Sequence, residues 1–101
     1  MNIASPRNAC SIIQSPPSNI SYVNKWIALI QRTQDSRINC SFDIKVLNAQ
    51  NAGYSAVIIY NTDSDMLVRM SGSGNYNIKI PSVFIGQKDA QLLEKLTYEN
   101  K

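Results

Sequence analysis

The side chains that could do chemistry are few, and the two cysteines are the most informative of them. Cys10 and Cys40 are the only cysteines in the chain. As free thiols in a cytosolic protein they would be ordinary core residues, whereas in a small secreted domain they would form a disulfide. Such a bond would close a loop of about 31 residues and stabilise the fold by roughly 3 to 4 kcal/mol. The cysteines by themselves leave both possibilities open.

Two N-glycosylation sequons favour the secreted alternative. Their tripeptides, at 19–21 and 39–41, both match the pattern N-x-[ST]. Each lies in a segment predicted as a loop, where a glycan is tolerated. We therefore predict N-glycosylation sites at Asn19 and Asn39. Asn19 is the preferred one, because a disulfide at Cys40 would hinder modification of the residue beside it.

No arrangement typical of an enzyme is visible in the sequence. The chain has no histidine, which excludes Ser-His-Asp and Cys-His centres as well as histidine metal sites. Its seven acidic residues include no pair that can be placed face to face, as an acid–base dyad requires. We therefore expect no catalytic residues, no metal ion and no cofactor.

Two short motifs are similar to ligand-binding loops but lack essential residues. Asn61, Asp63 and Asp65 have the alternating spacing of a calcium loop, but Met66 and Gly72 stand where that loop needs Gly and Glu. The stretch SGSG at 71–74 is followed by an extended segment and by no suitably placed lysine. It is therefore predicted to be a turn and not a phosphate-binding loop.

Length and charge indicate one globular domain, residues 1–101, that does not bind nucleic acid. A chain of 101 residues is one domain at most. Ten basic and seven acidic residues give a net charge of +3, and the basic residues are scattered singly without a stripe that could follow a phosphate backbone. The longest apolar runs are far shorter than the roughly 20 residues of a membrane span. We expect no direct membrane insertion by this chain.

The elements that must position these residues follow from hydrophobic patterning. A strand is predicted at the end of 22–30, a helix over 42–52 and a buried strand over 55–61. Ser41 is placed to cap the helix through its side-chain oxygen, and Gly53 to end it in the left-handed conformation. Strand, helix and strand in this order predict a parallel β-α-β unit.

The remaining segments give weaker signals. Residues 1–20 are predicted to be irregular, and 62–70 to form a loop or a short helix. Pro81 separates two short extended pieces and marks a bend or an edge, because proline cannot donate to a central strand ladder. A second helix is predicted over 89–98, where leucines line one face.

Several blocks of the sequence, in this order, resemble a known family. They are NAC, WIALIQR, CSFDIKVLNAQNAGYSAVIIYNTDSDMLVRM, IPSVFIG and LTYE. Together they resemble the protease-associated (PA) domain of the membrane-spanning RING ubiquitin ligases, closest to the RING finger protein 13 group, over roughly residues 8–100. The resemblance implies a compact α/β fold, with a small curved mixed sheet or open barrel flanked by two or three helices. It also implies a disulfide between Cys10 and Cys40.

The chain also departs from the family pattern. The segment before Cys40 is longer than is usual in the group, in a surface loop where insertions cost little. Strands expected before NAC and after LTYEN are not recognisable. We therefore expect a domain truncated at both ends that lacks its terminal strands, with residues 1–7 flexible.

The resemblance implies a non-catalytic domain on the lumenal or extracellular side of a membrane-anchored RING-type E3 ubiquitin ligase. Such a domain would recruit protein substrates or regulators in the endosomal or lysosomal lumen or at the cell surface, while the RING lies outside this chain. The alternative is the PA domain of a cargo-sorting receptor or of a protease, where it would bind cargo or control substrate access. A small stand-alone enzyme is a third possibility, against which the absence of histidine weighs.

The predicted protein-binding surface comprises the loop 61–65 and the segment 70–76. Both follow buried elements and carry polar and aromatic groups, which is typical of functional loops. The residues assigned to this surface are Asn61, Asp63, Asp65, Met70 and Tyr76.

Overall fold

A computed structural model describes residues 1–16, 25–33, 40–67, 70 and 76–95. It contains strands β1 (Asn2–Ile3), β2 (Ile27–Gln31), β3 (Ala56–Tyr60) and β4 (Ser82–Ile85), and helices α1 (Phe42–Ala52) and α2 (Gln87–Glu94). The four strands form one sheet in the order β1-β2-β3-β4. The predicted α/β class is confirmed, although every strand pair in this sheet is parallel where a mixed sheet was expected. Each connection returns the chain to the same end of the sheet, which makes successive strands parallel.

The unit β2-α1-β3 forms as the sequence predicts. Helix α1 ends at Gly53, whose φ of 103° lies in the left-handed region that glycine adopts without strain. The N–H of Gly53 donates to the carbonyl of Gln50, and the N–H of Tyr54 donates to that of Ala49. These two bonds satisfy carbonyls at the helix end in a Schellman arrangement.

The predicted side-chain cap of α1 is wrong. Ser41 occupies the N-cap position with extended backbone, but its hydroxyl oxygen accepts no hydrogen bond from a backbone N–H of the first helical turn. It donates instead to the carboxylate of Asp43.

The core lies on both faces of the sheet. One face carries Ile30 and Ile59, which pack with Val46 and Ala49 of α1 in the larger buried cluster. The opposite face carries Leu29 and Tyr60, which pack with Ile3 and with Ala90 of α2. Successive strand residues point to opposite faces, so a sheet covered on both sides requires the continuous apolar runs of β2 and β3.

The N-terminal segment differs from its prediction. Asn2 and Ile3 pair with Ala28 and Leu29 of β2, so a strand does precede the first cysteine. Ile3 is buried, and Asn2 donates from Nδ2 to the hydroxyl of Tyr54 at 2.9 Å. The expectation that the chain lacks an N-terminal strand is therefore wrong, while the flexibility expected for residues 1–7 stays a prediction. Two residues give no periodic signal, and their pairing partners lie more than twenty positions away.

The C-terminal elements follow their predictions with shifted bounds. Strand β4 begins directly after Pro81, whose carbonyl accepts a hydrogen bond from the N–H of Val57 at 3.0 Å. Helix α2 begins at Gln87, two residues earlier than predicted, and residues 61–67 form no helix. Positions 96–98 of the predicted helix and the predicted turn 71–74 lie outside the described residues. Within the described ranges, no helix has the length and apolar character needed to cross a membrane.

Candidate functional site

A polar cleft opens where β2 and β3 end beside α2, and we call it the carboxyl-edge cleft. Its volume is about 320 Å³. Parallel sheets commonly bind ligands outside the carboxyl ends of their strands, where the loops diverge. The cleft is lined by Arg7, Gln31, Tyr60, Asn61, Thr62, Gln87, Ala90, Gln91 and Glu94.

Arg7 and Glu94 place opposite charges in this cleft. The guanidinium Nη1 of Arg7 donates to Glu94 Oε1 at 3.2 Å and to the hydroxyl of Tyr60 at 3.4 Å. The hydrogen bond to Tyr60 raises the pKa of Arg7, and burial raises the pKa of Tyr60. Both groups therefore keep their usual protonation at neutral pH. The ion pair is substantially exposed, so it contributes at most about 1 kcal/mol to stability. Its main effect is to hold the two opposite charges next to each other in the cleft.

Asn61 forms the buried part of the cleft. It follows β3 directly and is only 1% exposed. Its Oδ1 accepts from Nη1 of Arg32 at 3.2 Å and from the N–H of Thr62 at 3.0 Å, while its Nδ2 donates to the carbonyl of Met66 at 3.0 Å. Asn61 thus fixes the loop after β3 from within and does not present an exposed side chain.

Hydrogen bonds join the loop 62–66 to α2, and the two segments together form one side of the cleft. Gln87 donates from Nε2 to the carbonyl of Thr62 at 2.7 Å, and its N–H donates to the carbonyl of Ser64 at 2.9 Å. The carboxylate of Asp65 accepts the N–H of Lys88 at 2.7 Å. Asp65 therefore caps α2 from another part of the chain, since the helix's own N-cap residue is a glycine.

The other predicted binding residues lie outside the cleft. Asp63 is exposed, Met70 is half-buried against the larger core cluster, and Tyr76 is 40% exposed. Of the predicted binding residues only Asn61 lines the cleft. The predicted glycosylation sites Asn19 and Asn39 lie outside the described residues.

Sequence reasoning missed most of the cleft. The position of Gln31 at the carboxyl end of β2 was a usable signal, because that edge commonly forms ligand sites in parallel sheets. Arg7 and Glu94 are 87 positions apart and carry no local pattern that would join them. In the described part of the chain, no group of three or more His, Cys, Asp or Glu side chains is placed to hold a metal ion.

A second polar centre lies beside the disulfide that joins Cys10 and Cys40. Lys45 is 1% exposed, and burial lowers the pKa of its amine to about 8. Its Nζ donates to the carbonyl oxygens of Asn8 at 2.6 Å and Gln31 at 3.0 Å, and to Oγ1 of Thr33 at 2.6 Å. Lys45 thus ties α1 to the N-terminal segment and to the end of β2. The sequence analysis assigned it no role.

We expect the stability of the protein to rise with pH, relative to a Lys45→Met variant, between pH 8 and pH 10. The folded protein releases the Lys45 proton near pH 8, whereas the unfolded chain holds it up to about 10.5. Raising the pH through this interval therefore favours the folded state. Urea denaturation of both proteins at pH 7.5, 8.5 and 9.5 measures the difference between their free energies of unfolding. The contributions of the other titrating groups are common to both proteins and cancel in this difference. A difference that stays constant over this interval would contradict the assigned pKa.

Comparison with known proteins identifies the class of domain. A family model described as the PA domain matches residues 2–93, which is most of the chain. The zinc aminopeptidase BSAP of Bacillus subtilis has a similar structure, with a TM-score of 0.54 and 32% identity over 68% of this chain and 16% of its own. The chain therefore belongs to the PA domain family.

Comparison with individual relatives assigns the domain to a narrower group within the PA domain family. The E3 ubiquitin-protein ligase RNF13 of Gallus gallus is 48% identical over 99 residues, which are 93% of this chain and 24% of that protein. The E3 ubiquitin-protein ligase Godzilla of Drosophila melanogaster is 39% identical over 90 residues, 87% of this chain and 16% of its own. This PA domain is of the PA-transmembrane-RING type, in the RNF13 group. The chain spans about a quarter of the length of its RNF13 relatives.

Proposed function

We propose that this chain is the non-catalytic protein-binding domain of a membrane-anchored RING-type E3 ubiquitin ligase. It faces the lumen of endosomes or lysosomes or the cell exterior, and it recruits substrates or regulators of the ligase. The observation that carries the proposal is the 48% identity to RNF13 over 93% of the chain. The RING that recruits the ubiquitin-conjugating enzyme would lie elsewhere in the protein.

The compartment is supported by the covalent chemistry of the domain. The disulfide between Cys10 and Cys40 closes 30 positions of chain, and such bonds persist in oxidising compartments. The two sequons at Asn19 and Asn39 suit the same side of a membrane. We propose that both are N-glycosylation acceptors, with Asn19 the preferred one.

We further propose that the carboxyl-edge cleft is the surface that contacts partner proteins. The side-chain amides of Gln31, Gln87 and Gln91 line it, and each amide both donates and accepts, as peptide groups do. Arg7 and Glu94 add one charge of each sign at its rim. A cleft of about 320 Å³ falls in the size range of ligand pockets and accommodates a short peptide segment.

The second candidate is a PA domain that serves a sorting receptor or a protease. It is favoured by the structural similarity to a zinc aminopeptidase, at a TM-score of 0.54. In that setting the same cleft would bind cargo or restrict access to a neighbouring catalytic domain. A RING pattern in the same open reading frame would exclude this candidate, and a protease domain there would support it.

Reversal of the charge at Arg7 tests the binding site. We expect Arg7→Glu to reduce the amount of each captured lumenal partner at least about tenfold, because loss of a charged hydrogen bond costs roughly 1.5 to 3 kcal/mol and about 1.4 kcal/mol is a factor of ten in affinity. Quantitative mass spectrometry of proteins captured by the full-length ligase measures the loss.

The matched control is Lys88→Glu. It reverses an exposed charge on α2 that does not line the cleft, so it should leave capture unchanged. Equal capture by the wild type and both variants would remove the cleft from the proposal.

Removal of the RING should abolish ubiquitination while leaving capture intact. If the RING-deleted protein also lost its partners, the recruiting role of this domain would be wrong.

A further inference from the structure

The two sulfur atoms of the disulfide have unequal surroundings. Sγ of Cys10 lies 3.7 Å from Nζ of Lys45 and 3.3 Å from Oγ1 of Thr33. Because a disulfide sulfur carries no hydrogen, the Thr33 hydroxyl is the donor in this contact. Among the described residues, Sγ of Cys40 has no comparable hydrogen-bond donor. In the part of the chain that the structure describes, the Cys10 end of the bond therefore lies beside a cation and a hydroxyl donor, and the Cys40 end does not.

Lys45 is held in this position as a buried cation. Its three donor hydrogens are used by the oxygen atoms of Asn8, Gln31 and Thr33, so Nζ has little freedom to move. With a pKa of about 8, the amine is mainly protonated at pH 7. Within the described ranges, no carboxylate contacts it, since the ion pair found there joins Arg7 and Glu94. Among the described residues, the groups that compensate this positive charge while the disulfide is intact are dipoles.

We propose that the disulfide is a site of exchange with small external thiols, in which Cys40 accepts the thiol and Cys10 leaves as a thiolate stabilised by Lys45. The thiolate of the external molecule attacks Sγ of Cys40 and forms a new sulfur–sulfur bond. The bond between Cys40 and Cys10 breaks, and its electron pair remains on Sγ of Cys10. A second external thiolate then attacks the sulfur of the bound thiol, releases it as an oxidised dimer and leaves Cys40 reduced.

Physical chemistry favours this direction of attack. Exchange is faster when the leaving thiol has a lower pKa, and a neighbouring lysine ammonium lowers the pKa of a thiol. The leaving thiolate at Cys10 gives Lys45 a counter-ion that no described residue provides in the oxidised protein. A buried cation is less costly when paired than when alone. Both effects act at Cys10, whereas the two cysteines are partly exposed to a similar degree, so exposure alone does not set the direction of attack.

The site of the mixed disulfide tests the proposal directly. The intact domain is incubated with reduced glutathione at pH 7, quenched with acid and mapped by mass spectrometry. A lowering of the leaving thiol's pKa by one unit or more predicts that glutathione appears on Cys40 several-fold more than on Cys10. Equal labelling of the two cysteines, or an excess on Cys10, would overturn the proposal without any variant being needed.

A Lys45 variant tests whether the charge on Lys45 or the accessibility of each sulfur decides which cysteine is attacked. Lys45→Met is expected to abolish the preference for Cys40 and to lower the equilibrium constant for reduction about tenfold, equivalent to about 30 mV. Lys45→Arg retains the charge and should keep the preference, while Lys88→Met, an exposed lysine elsewhere, should match the wild type. An unchanged preference in a folded Lys45→Met protein would show that access selects the sulfur and would contradict the role of Lys45. If Lys45→Met does not fold, the wild-type labelling still decides.

Discussion

Replacement of both Cys10 and Cys40 by serine is expected to lower the free energy of unfolding by about 3 to 4 kcal/mol. The bond links the N-terminal segment to the residue two positions before α1, across 30 positions of chain. Without it, the unfolded chain regains the entropy of a long open loop. For a domain of this size, the loss corresponds to a fall in melting temperature on the order of 15 to 25 °C.

Thermal and urea denaturation of the double variant and of the wild type measure this loss. Reduction and alkylation of the wild type open the same loop by another route and should give a similar decrease. The variant should remain folded, because Asn48 still donates to the carbonyl of Ala9 at 2.8 Å and Lys45 to that of Asn8. A double variant as stable as the wild type would show that the N-terminal segment docks without the bond.

Gly86→Ala is expected to cost more than an alanine substitution at any other glycine described by the structure. A Cβ at position 86 would lie 2.8 Å from both Cα and the carbonyl oxygen of Asp65, which are backbone atoms that cannot turn aside. The loop 62–66 would have to move away from α2 and lose the hydrogen bonds that cap the helix. Overpacking of this kind typically costs about 1 to 3 kcal/mol, and the capping loss adds roughly 1 kcal/mol.

Gly53→Ala provides the matched control. Its nearest non-neighbouring atom would be 3.8 Å from the added Cβ, so only the left-handed φ of 103° is strained, at a cost of roughly 1 kcal/mol. Urea denaturation should rank Gly86→Ala as the less stable variant. Gly86→Ala should also lose partner capture at the cleft, whereas Gly53→Ala should retain it. A reversed order of stability would contradict the close approach of the loop to α2.

The elements with local signals were predictable from the sequence. Helix α1 has the predicted bounds, and β3 lies within its predicted range, because both depend on residue types and spacing inside the element. Gly53 at the helix end is a local signal of the same kind. The two-residue strand β1 was not predictable, since its formation depends on pairing with β2 far along the chain.

The cleft was predictable only in part. The position of Asn61 after a buried strand predicts a binding residue, and Asn61 does line the cleft, although its side chain is buried and supports the loop. The cap of α2 comes from Asp65, 23 positions before its partner, so the helix begins earlier than its own apolar pattern indicates. Arg7 and Glu94 meet because β1 pairs with β2 and α2 packs on the sheet. Contacts between segments that are far apart in the chain produce no pattern of residue types or spacing by which they could be predicted.

The most direct test of protein binding at the carboxyl-edge cleft is site-specific photocrosslinking in the proposed full-length ligase. A photoreactive amino acid at Gln91, in the cleft, is compared with the same group at Gln14, an exposed glutamine outside it. We predict that position 91 gives discrete crosslinked proteins that an excess of soluble wild-type domain removes, and that position 14 does not. Equal crosslinking at both positions, or crosslinks at 91 that the soluble domain does not compete away, would contradict the account.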